Sequence, residues 1–375
     1  MDTLDNDLSS TLVVSSDEEA IKNNLSLFWK LFSSSYLSII TLPNTNFWRE
    51  ELSKYQQTSD NHILIGNTHS LCSPSTSDDL IILGGTITDT KSRKYPKKRI
   101  LAVVPVFNEH DIIAQTIQHL LDQDIDVYII DNWSNDGSFE LVQKLENTFP
   151  TRISLERFPT ELAHEYDWTG ILNRVSEIAS ENQATYDWIM LNDADEIRWS
   201  PWADINLREA ISYIDSCGFN AIDYTVFNFE PVLDGFNENY DPVSFFTHGN
   251  FGTLLAYFSQ VKTWKNNTHA NLSVTAGHHV ITNEQRIFPL KFLLCHYPLR
   301  SNQQARRKIF QERLPRFTEY EKNKGWHTHY DHYDADTTFI KDKEALVNYS
   351  SKDFIEKHLC QVLSGIGIRS DTYEL

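Results

Sequence analysis

The stretch Ile100-Leu101-Ala102-Val103-Val104-Pro105-Val106, with Phe107-Asn108-Glu109 behind it, decides the fold. It is a continuous apolar run of strand length, the pattern of a strand covered on both faces, as in a parallel sheet. Downstream, Ile112, Ile113, Ile117, Leu120 and Leu121 fall on one face of a helix reaching about Leu121, and Asn108 is placed to cap it. A second strand is predicted from Asp126 to Ile130, a turn from Asn132 to Gly137, a helix from Ser138 to about Asn147, and a third strand near Arg152 to Phe158. Another helix, Trp168 to Ser180, leads to the strand Trp188-Ile189-Met190-Leu191. Strands alternating with helices build an α/β, Rossmann-type core with a mostly parallel sheet flanked by helices. Ligands of such sheets sit beyond the carboxyl ends of the strands, and three polar clusters lie there.

Outward from this core the pattern changes. Residues 1–98 are rich in Ser, Thr, Asn and Asp, with a helix predicted from Asp17 to Phe32 and apolar pieces at 37–42 and 80–83. They read as an accessory region, closed by a Lys-rich linker containing Pro96. The core is expected over 99–301 and a helical cap over 302–375, opening with a basic segment that carries Arg306, Arg307, Lys308, Arg313 and Arg316. Between Ser200 and that cap the chain is aromatic and less periodic, with Tyr224, Phe227, Phe229, Phe236, Tyr240 and Trp264 among others. Such a run fits either β-rich packing or a sugar-stacking surface.

Composition narrows the function. The 375 residues hold 40% hydrophobic side chains, ample for a buried core. Lys and Arg number 33 against 52 Asp and Glu, a formal charge of −19, which argues against nucleic acid as a partner because phosphate contacts need a basic face. Any phosphate ligand must be met by a few local cations or a metal. The four cysteines, Cys72, Cys217, Cys295 and Cys360, form no CxxC pair, and the N-terminus lacks a signal-peptide pattern, so a cytoplasmic protein is expected. No apolar run approaches the roughly 20 residues that span a bilayer, which leaves peripheral association as the only membrane role expected.

The sharpest chemical signal is Asn192-Asp193-Ala194-Asp195-Glu196, directly after the strand 188–191. Two carboxylates one residue apart at a strand end can converge on a hard divalent cation, and Mg²⁺ or Mn²⁺ so held can bridge to a diphosphate. Asp193, Asp195 and Glu196 also repel one another, a cost that a bound cation removes. At the end of the first strand stands Val104-Pro105-Val106-Phe107-Asn108-Glu109, and at the end of the second Asp131-Asn132-Trp133-Ser134-Asn135-Asp136-Gly137-Ser138. Each places a carboxylate where ribose or base hydrogen-bond donors can be accepted. Asp136-Gly137 and Ser138 equally suit a turn and a helix N-cap.

These motifs, in this order and spacing, resemble those of glycosyltransferase family 2 enzymes of the GT-A fold; the resemblance is clear from about Arg99 to Trp199. It implies a nucleotide-diphosphate sugar donor, a saccharide or lipid-linked acceptor, Mn²⁺ or Mg²⁺, and inversion at the anomeric carbon. Carried onto this chain, it assigns Pro105, Asn108 and Glu109 to the nucleotide, Asp131 to base or ribose, and Asp193 and Asp195 to metal and diphosphate. Asn132 stands where many relatives have a second aspartate, which leaves that position a hydrogen-bonding role without a charge. Many GT-A enzymes add a late histidine to the metal, and His296, closing the apolar run Phe288 to Cys295, is the candidate by position. Through Ala276-Gly277-His278-His279, Cys295-His296-Tyr297-Pro298-Leu299-Arg300-Ser301 and Gly325-Trp326-His327, the second half resembles a bacterial subgroup of the family.

Departure of a nucleoside diphosphate calls for a cation besides the metal, and Arg300, Arg306 and Arg307 are candidates, the last two also fitting a solvated helix face. Arg174 is placed to pair with Asp193 or Asp195, beside a Trp168 that suits packing. Inversion needs a base near the acceptor hydroxyl, and Asp234, Asp241, His278 and His279 stand between the acidic motif and His296, with Asp241 favoured. Two rival functions are a nucleotidyltransferase, for which 106–111 lacks the Gly-rich or Lys-bearing phosphate loop, and a non-catalytic carbohydrate-binding protein, which leaves the acidic cluster unexplained.

Overall fold

The computed structural model describes residues 38–42, 61–67 and 79–85 and most of 96–351, together with Phe354 and His358; within the long span, 163–164, 202–204, 217, 252–259, 268–269, 273–276, 278–279, 283–284, 325, 327–329 and 335 are left aside. The predicted helix 17–32 and the candidates His278 and His279 lie outside the described residues. Strands β1 (Ser38–Leu42), β2 (Asn61–Asn67) and β3 (Asp79–Gly85) form an antiparallel sheet in the order β1-β3-β2.

The core follows the predicted alternation: β4 (Ile100–Val106), α1 (Ile113–Asp122), β5 (Asp126–Asp131), α2 (Ser138–Thr148), β6 (Ile153–Arg157), α3 (Trp168–Glu181) and β7 (Trp188–Leu191). Strands β7, β4, β5 and β6 lie side by side and all parallel. Both faces of β4 are covered, as its unbroken apolar run requires. Ala102, Val104 and Val106 pack with Ile113, Ile117 and Leu120 of α1, while Leu101 and Val103 pack with Leu172, Val175 and Ile178 of α3. Burying each such side chain is worth about 1.5–3 kcal/mol, and this sandwiching fixes the strand order.

That order creates the site. The chain runs from β4 to β5 and β6 on one side, then crosses back to place β7 on the other side of β4. The strand order reverses at β4, and the crevice beyond the carboxyl end of such a switch-point strand is where α/β sheets bind ligands. Beyond β7 the sheet turns antiparallel, through β11 (Gln260–Lys265), β9 (Ala221–Phe229) and β10 (His248–Phe251). Strand β14 (Ile287–His296) runs parallel to β9 and antiparallel to β8 (Glu196–Trp199), bringing His296 beside the acidic turn. Helices α4 (Leu207–Ser216) and α5 (Pro242–Phe245) connect these strands, and β12 (Ala270–Asn271) and β13 (Ile281–Thr282) form a short antiparallel pair between β11 and β14 in the chain. Tyr224, Phe227, Phe229, Phe246 and Trp264 are buried, so these aromatics of the middle region pack the sheet, whereas Tyr240 is exposed.

After β14 come α6 (Asn302–Arg306), a π-helix over Arg307–Arg313 and α7 (Glu319–Asn323). This segment is tied to the start of α3, with Tyr166 N donating to Arg316 O at 2.8 Å and Thr169 N to Glu321 Oε1 at 3.0 Å. The expected helical cap then gives way to β15 (Val347–Asn348), which returns to the sheet edge against β10 because Val347 is buried with Phe227, Phe229 and Phe354. Among the described residues no helix is long and apolar enough to cross a membrane.

Candidate active site

The turn 192–195 leaves β7 at the crevice and re-enters the sheet as β8. Asp193 is partly exposed, while Asp195 is buried. The two carboxylates turn to different partners. Asp193 Oδ2 accepts from Lys262 Nζ at 2.9 Å, and Asp195 Oδ2 accepts from Lys308 Nζ at 2.8 Å. Glu196 lies beneath them, accepting from Lys262 Nζ at 2.7 Å, from Arg198 at 2.7 Å and from Asp193 N at 3.1 Å.

The lysine partners change the expected electrostatics. Asp193 and Glu196 pair with Lys262 and Arg198, and beside them Glu109, Asp111 and Asp195 pair with Arg300, Lys308 and Arg313, so five carboxylates meet five cations. The repulsion within the acidic turn, read from the sequence as a reason for a metal, is already balanced by side chains. Burial pushes the Asp195 carboxyl up, but the Lys308 ammonium and the Arg300 guanidinium outweigh it and hold it well below the usual carboxylate range. Glu196, also raised by burial, is drawn down to about 2 by Lys262 and Arg198. Asp193 goes the other way: burial and repulsion from Glu196 exceed the pull of Lys262 and raise it.

His296 ends β14 with Nε2 3.6 Å from Asp195 Oδ1. Its Nδ1 lies 2.8 Å from Asn228 Oδ1, an oxygen that accepts from Nδ1–H; in that neutral tautomer Nε2 carries the lone pair a metal needs. Two atoms each about 2.1 Å from one ion lie roughly 3.0–3.4 Å apart, and Asp195 Oδ1 and His296 Nε2, at 3.6 Å, stand a little wider than that and must close slightly to share an ion. Carboxylate with imidazole suits Mn²⁺ better than Mg²⁺. Among the described residues no three His, Cys, Asp or Glu side chains close into a complete metal cage.

The donor-side candidates divide. Asp131 is buried at the end of β5, where its carboxylate accepts from Ser134 N at 3.1 Å and faces Arg157 at 3.5 Å; burial, only partly offset by these contacts, raises it. Asn132 Oδ1 accepts from Arg316 at 2.8 Å, and its Nδ2 donates to Phe158 O at 2.9 Å. Pro105 sits one residue before the end of β4, in register with Ile130. Asn108 is not a helix cap: its φ is +56° and α1 begins after Ile112 without a side-chain cap. Instead Asn108 Oδ1 accepts from Asn135 N at 2.9 Å and its Nδ2 donates to Glu312 at 2.7 Å, stitching the first and second strand ends to the π-helix. Asp136 rather than Ser138 makes the capping contact at α2, accepting from Ser138 N at 3.0 Å after Gly137 takes a left-handed φ of +95° that favours glycine.

Arg300 and Arg174 do not sit where they were expected to work. Arg300 is 0% exposed, with bonds to Glu109 at 2.5 Å, Asp111 at 2.6 and 2.9 Å, and Tyr297 O at 2.8 Å, so its fork is spent on the fold. Glu109, held by Arg300 and by Lys308 at 2.8 Å, is equally enclosed. Arg174 points away from the acidic turn, to Glu156 of β6 at 2.8 Å and to Glu177 and Glu181, one and two turns along α3, at 3.1 and 3.0 Å; these are nearer partners than Asp193 or Asp195. Of the base candidates, Asp241 caps α5, accepting from Ser244 N at 3.0 Å and Oγ at 2.6 Å. Asp234 accepts from Asn302 N and Nδ2 at 3.0 Å each, pinning the start of α6.

Lys262, Lys308 and Asn228 are the site residues that sequence reasoning passed over or left as surface charge. A polar side chain at the end of the aromatic strand 224–229 was the available signal for Asn228. Residues 101–276 match the family model described as Glycosyl transferase family 2. A search of curated proteins finds no match. The match runs from β4 through the acidic turn and past β11, so residues 101–276 form a domain of the glycosyl transferase family 2 type.

Proposed function

We propose that this glycosyltransferase moves a sugar, with inversion, from a nucleotide-diphosphate sugar to a saccharide or lipid-linked hydroxyl, using Mn²⁺ or Mg²⁺ held by Asp193, Asp195 and His296. The observation that carries the metal reading is the Asp195 Oδ1 to His296 Nε2 approach of 3.6 Å, with the histidine tautomer fixed by Asn228. When bound, the ion supplies positive charge to the departing diphosphate. The chain's own residues supply the rest. Asp131 and Asn132, at the end of β5, accept and donate hydrogen bonds to the nucleoside, and Arg316 lies against both Asn132 and the Phe107 ring, 3.8 Å from its centroid. Asn108 and Glu109 hold the rim of the crevice in shape rather than touch the donor.

For the base that takes the acceptor proton, the caps made by Asp241 and Asp234 favour His278 or His279. These follow Gly277, where a Cβ would lie 3.4 Å from Trp168 and 3.5 Å from Leu191, the residue that leads into the acidic turn. A panel of nucleotide sugars, each incubated with the protein, Mn²⁺ and acceptor hydroxyls, tests the assignment by nucleoside diphosphate release. Asp195→Asn is expected to lower release from the accepted donor by at least about 100-fold, because loss of an outer metal partner alone costs about 10–100-fold. Release from no donor, or undiminished release by Asp195→Asn, refutes the reading.

A further inference from the structure

The two lysines on the acidic turn are delivered by the two irregular places in the surrounding backbone. In β11, Val261 and Thr263 pair with the adjacent residues Asp223 and Ile222 of β9, so Lys262 is the extra residue of a β-bulge. A bulge re-aims the side chain it carries, and here it points a 3% exposed lysine at Asp193 and Glu196. Lys308 lies in the π-helix Arg307–Arg313, in which Leu314 N bonds to Ile309 O, five residues back, at 3.0 Å. That wider turn brings residues five apart onto one face, and Lys308 and Arg313 both reach Glu109 Oε1, at 2.8 and 3.6 Å. Lys308 then has Asp195 Oδ2 on its other side at 2.8 Å. Each carboxylate of the acidic pair thus has its own lysine, and each lysine depends on an inserted residue.

We propose that Lys262 and Lys308 are built-in counter-ions that close the acidic turn to a free divalent ion and reserve it for one arriving with a nucleoside diphosphate. The inference rests on the metal reading above. A lone dication adds charge to a cluster whose carboxylates and cations already balance, and repulsion from the two buried ammonium groups opposes it. A nucleoside diphosphate brings compensating negative charge, so ion and nucleotide bind far better together than apart. The lysines are positioning residues in this scheme; they set the order and interdependence of binding.

The test measures Mn²⁺ binding to the unliganded protein by electron paramagnetic resonance, then repeats it with UDP and with GDP as probes. The protein is expected to bind Mn²⁺ weakly alone and much more tightly with one of the nucleotides. Lys262→Met and Lys308→Met are each expected to tighten Mn²⁺ binding to the unliganded protein by at least about tenfold and to shrink the gain from nucleotide, while Lys262→Arg keeps the wild-type pattern. Loss of a purely structural lysine would instead weaken both. Unchanged or weaker Mn²⁺ binding by folded Met variants overturns the proposal. Should a Met variant fail to fold, Mn²⁺ must recover its circular dichroism and cooperative melting, and failure of that recovery overturns the proposal as well. A wild-type protein that binds neither nucleotide with Mn²⁺ sinks the donor reading itself, a result distinct from nucleotide-dependent binding that the lysine variants leave unchanged.

Discussion

Replacing Arg300 by Met separates a structural guanidinium from a donor-binding one. The side chain is fully buried and ties the end of β14 to the start of α1 by charge-assisted bonds to Glu109 and Asp111. Methionine fills similar volume but leaves both carboxylates short of a partner. Glu109 keeps Lys308 at 2.8 Å, whereas Asp111 loses its bidentate contact. Breaking a buried pair from one side costs about 3–5 kcal/mol. With an unfolding entropy of roughly 2 cal/mol/K per residue, a domain of about 275 residues should then melt about 5–9 °C lower. Arg300→Lys should recover little, since one ammonium cannot reproduce the fork that meets Asp111 twice. Differential scanning calorimetry on the three proteins reads the effect, with nucleotide binding measured well below the melting point. A melting point lowered by less than about 2 °C, together with lost nucleotide binding, would return Arg300 to the donor and refute the structural assignment.

Further outcomes follow from the same cluster. Asn228→Ala frees the imidazole of His296 to change tautomer, and Mn²⁺ affinity in the presence of nucleotide should fall about 10–100-fold, as expected for an outer partner of a metal-bound histidine; titration calorimetry checks it. The acid limb of stability should be steep. Glu196 is held at about 2 and Asp195 is also lowered, so their stabilisation is complete above the ordinary carboxylate range and is lost as pH falls through their folded-state values. Urea melts between about pH 5 and pH 2 should show this loss, and Glu196→Gln should flatten the slope while lowering stability at pH 7.

The parallel half of the fold was legible because its determinants are local. Ile100 to Val106 and Trp188 to Leu191 are strands because no polar residue interrupts them, and the helices between them carry their apolar residues on one face. What sequence could not supply were partners far apart in the chain. Arg174 looked close to the acidic turn by order, yet its own helix and β6 offer three glutamates. Asn108 looked like a helix cap by spacing, yet a left-handed φ turns it toward Asn135 and Glu312, the latter 204 residues away. Lys308 reads as one more charge on a basic helix until the π-register aims it inward.

A pair of carboxylates at a strand end is commonly read as a demand for a metal, because two negative charges in a crevice must be neutralised by something. Here that demand is met before any ion arrives, by lysines from β11 and the π-helix. The consequence is thermodynamic rather than decorative. An acidic pair without counter-ions would hold its ion in the absence of substrate, whereas a balanced pair binds the ion only when the ligand changes the charge. Asp195 shows how both roles fit on one group: Oδ2 is spent on Lys308, while Oδ1 faces His296 and stays available. Under the proposed metal reading, the same carboxylate holds the cap down through one oxygen and offers the other to the ion, which would couple the π-helix to the ion through a single side chain.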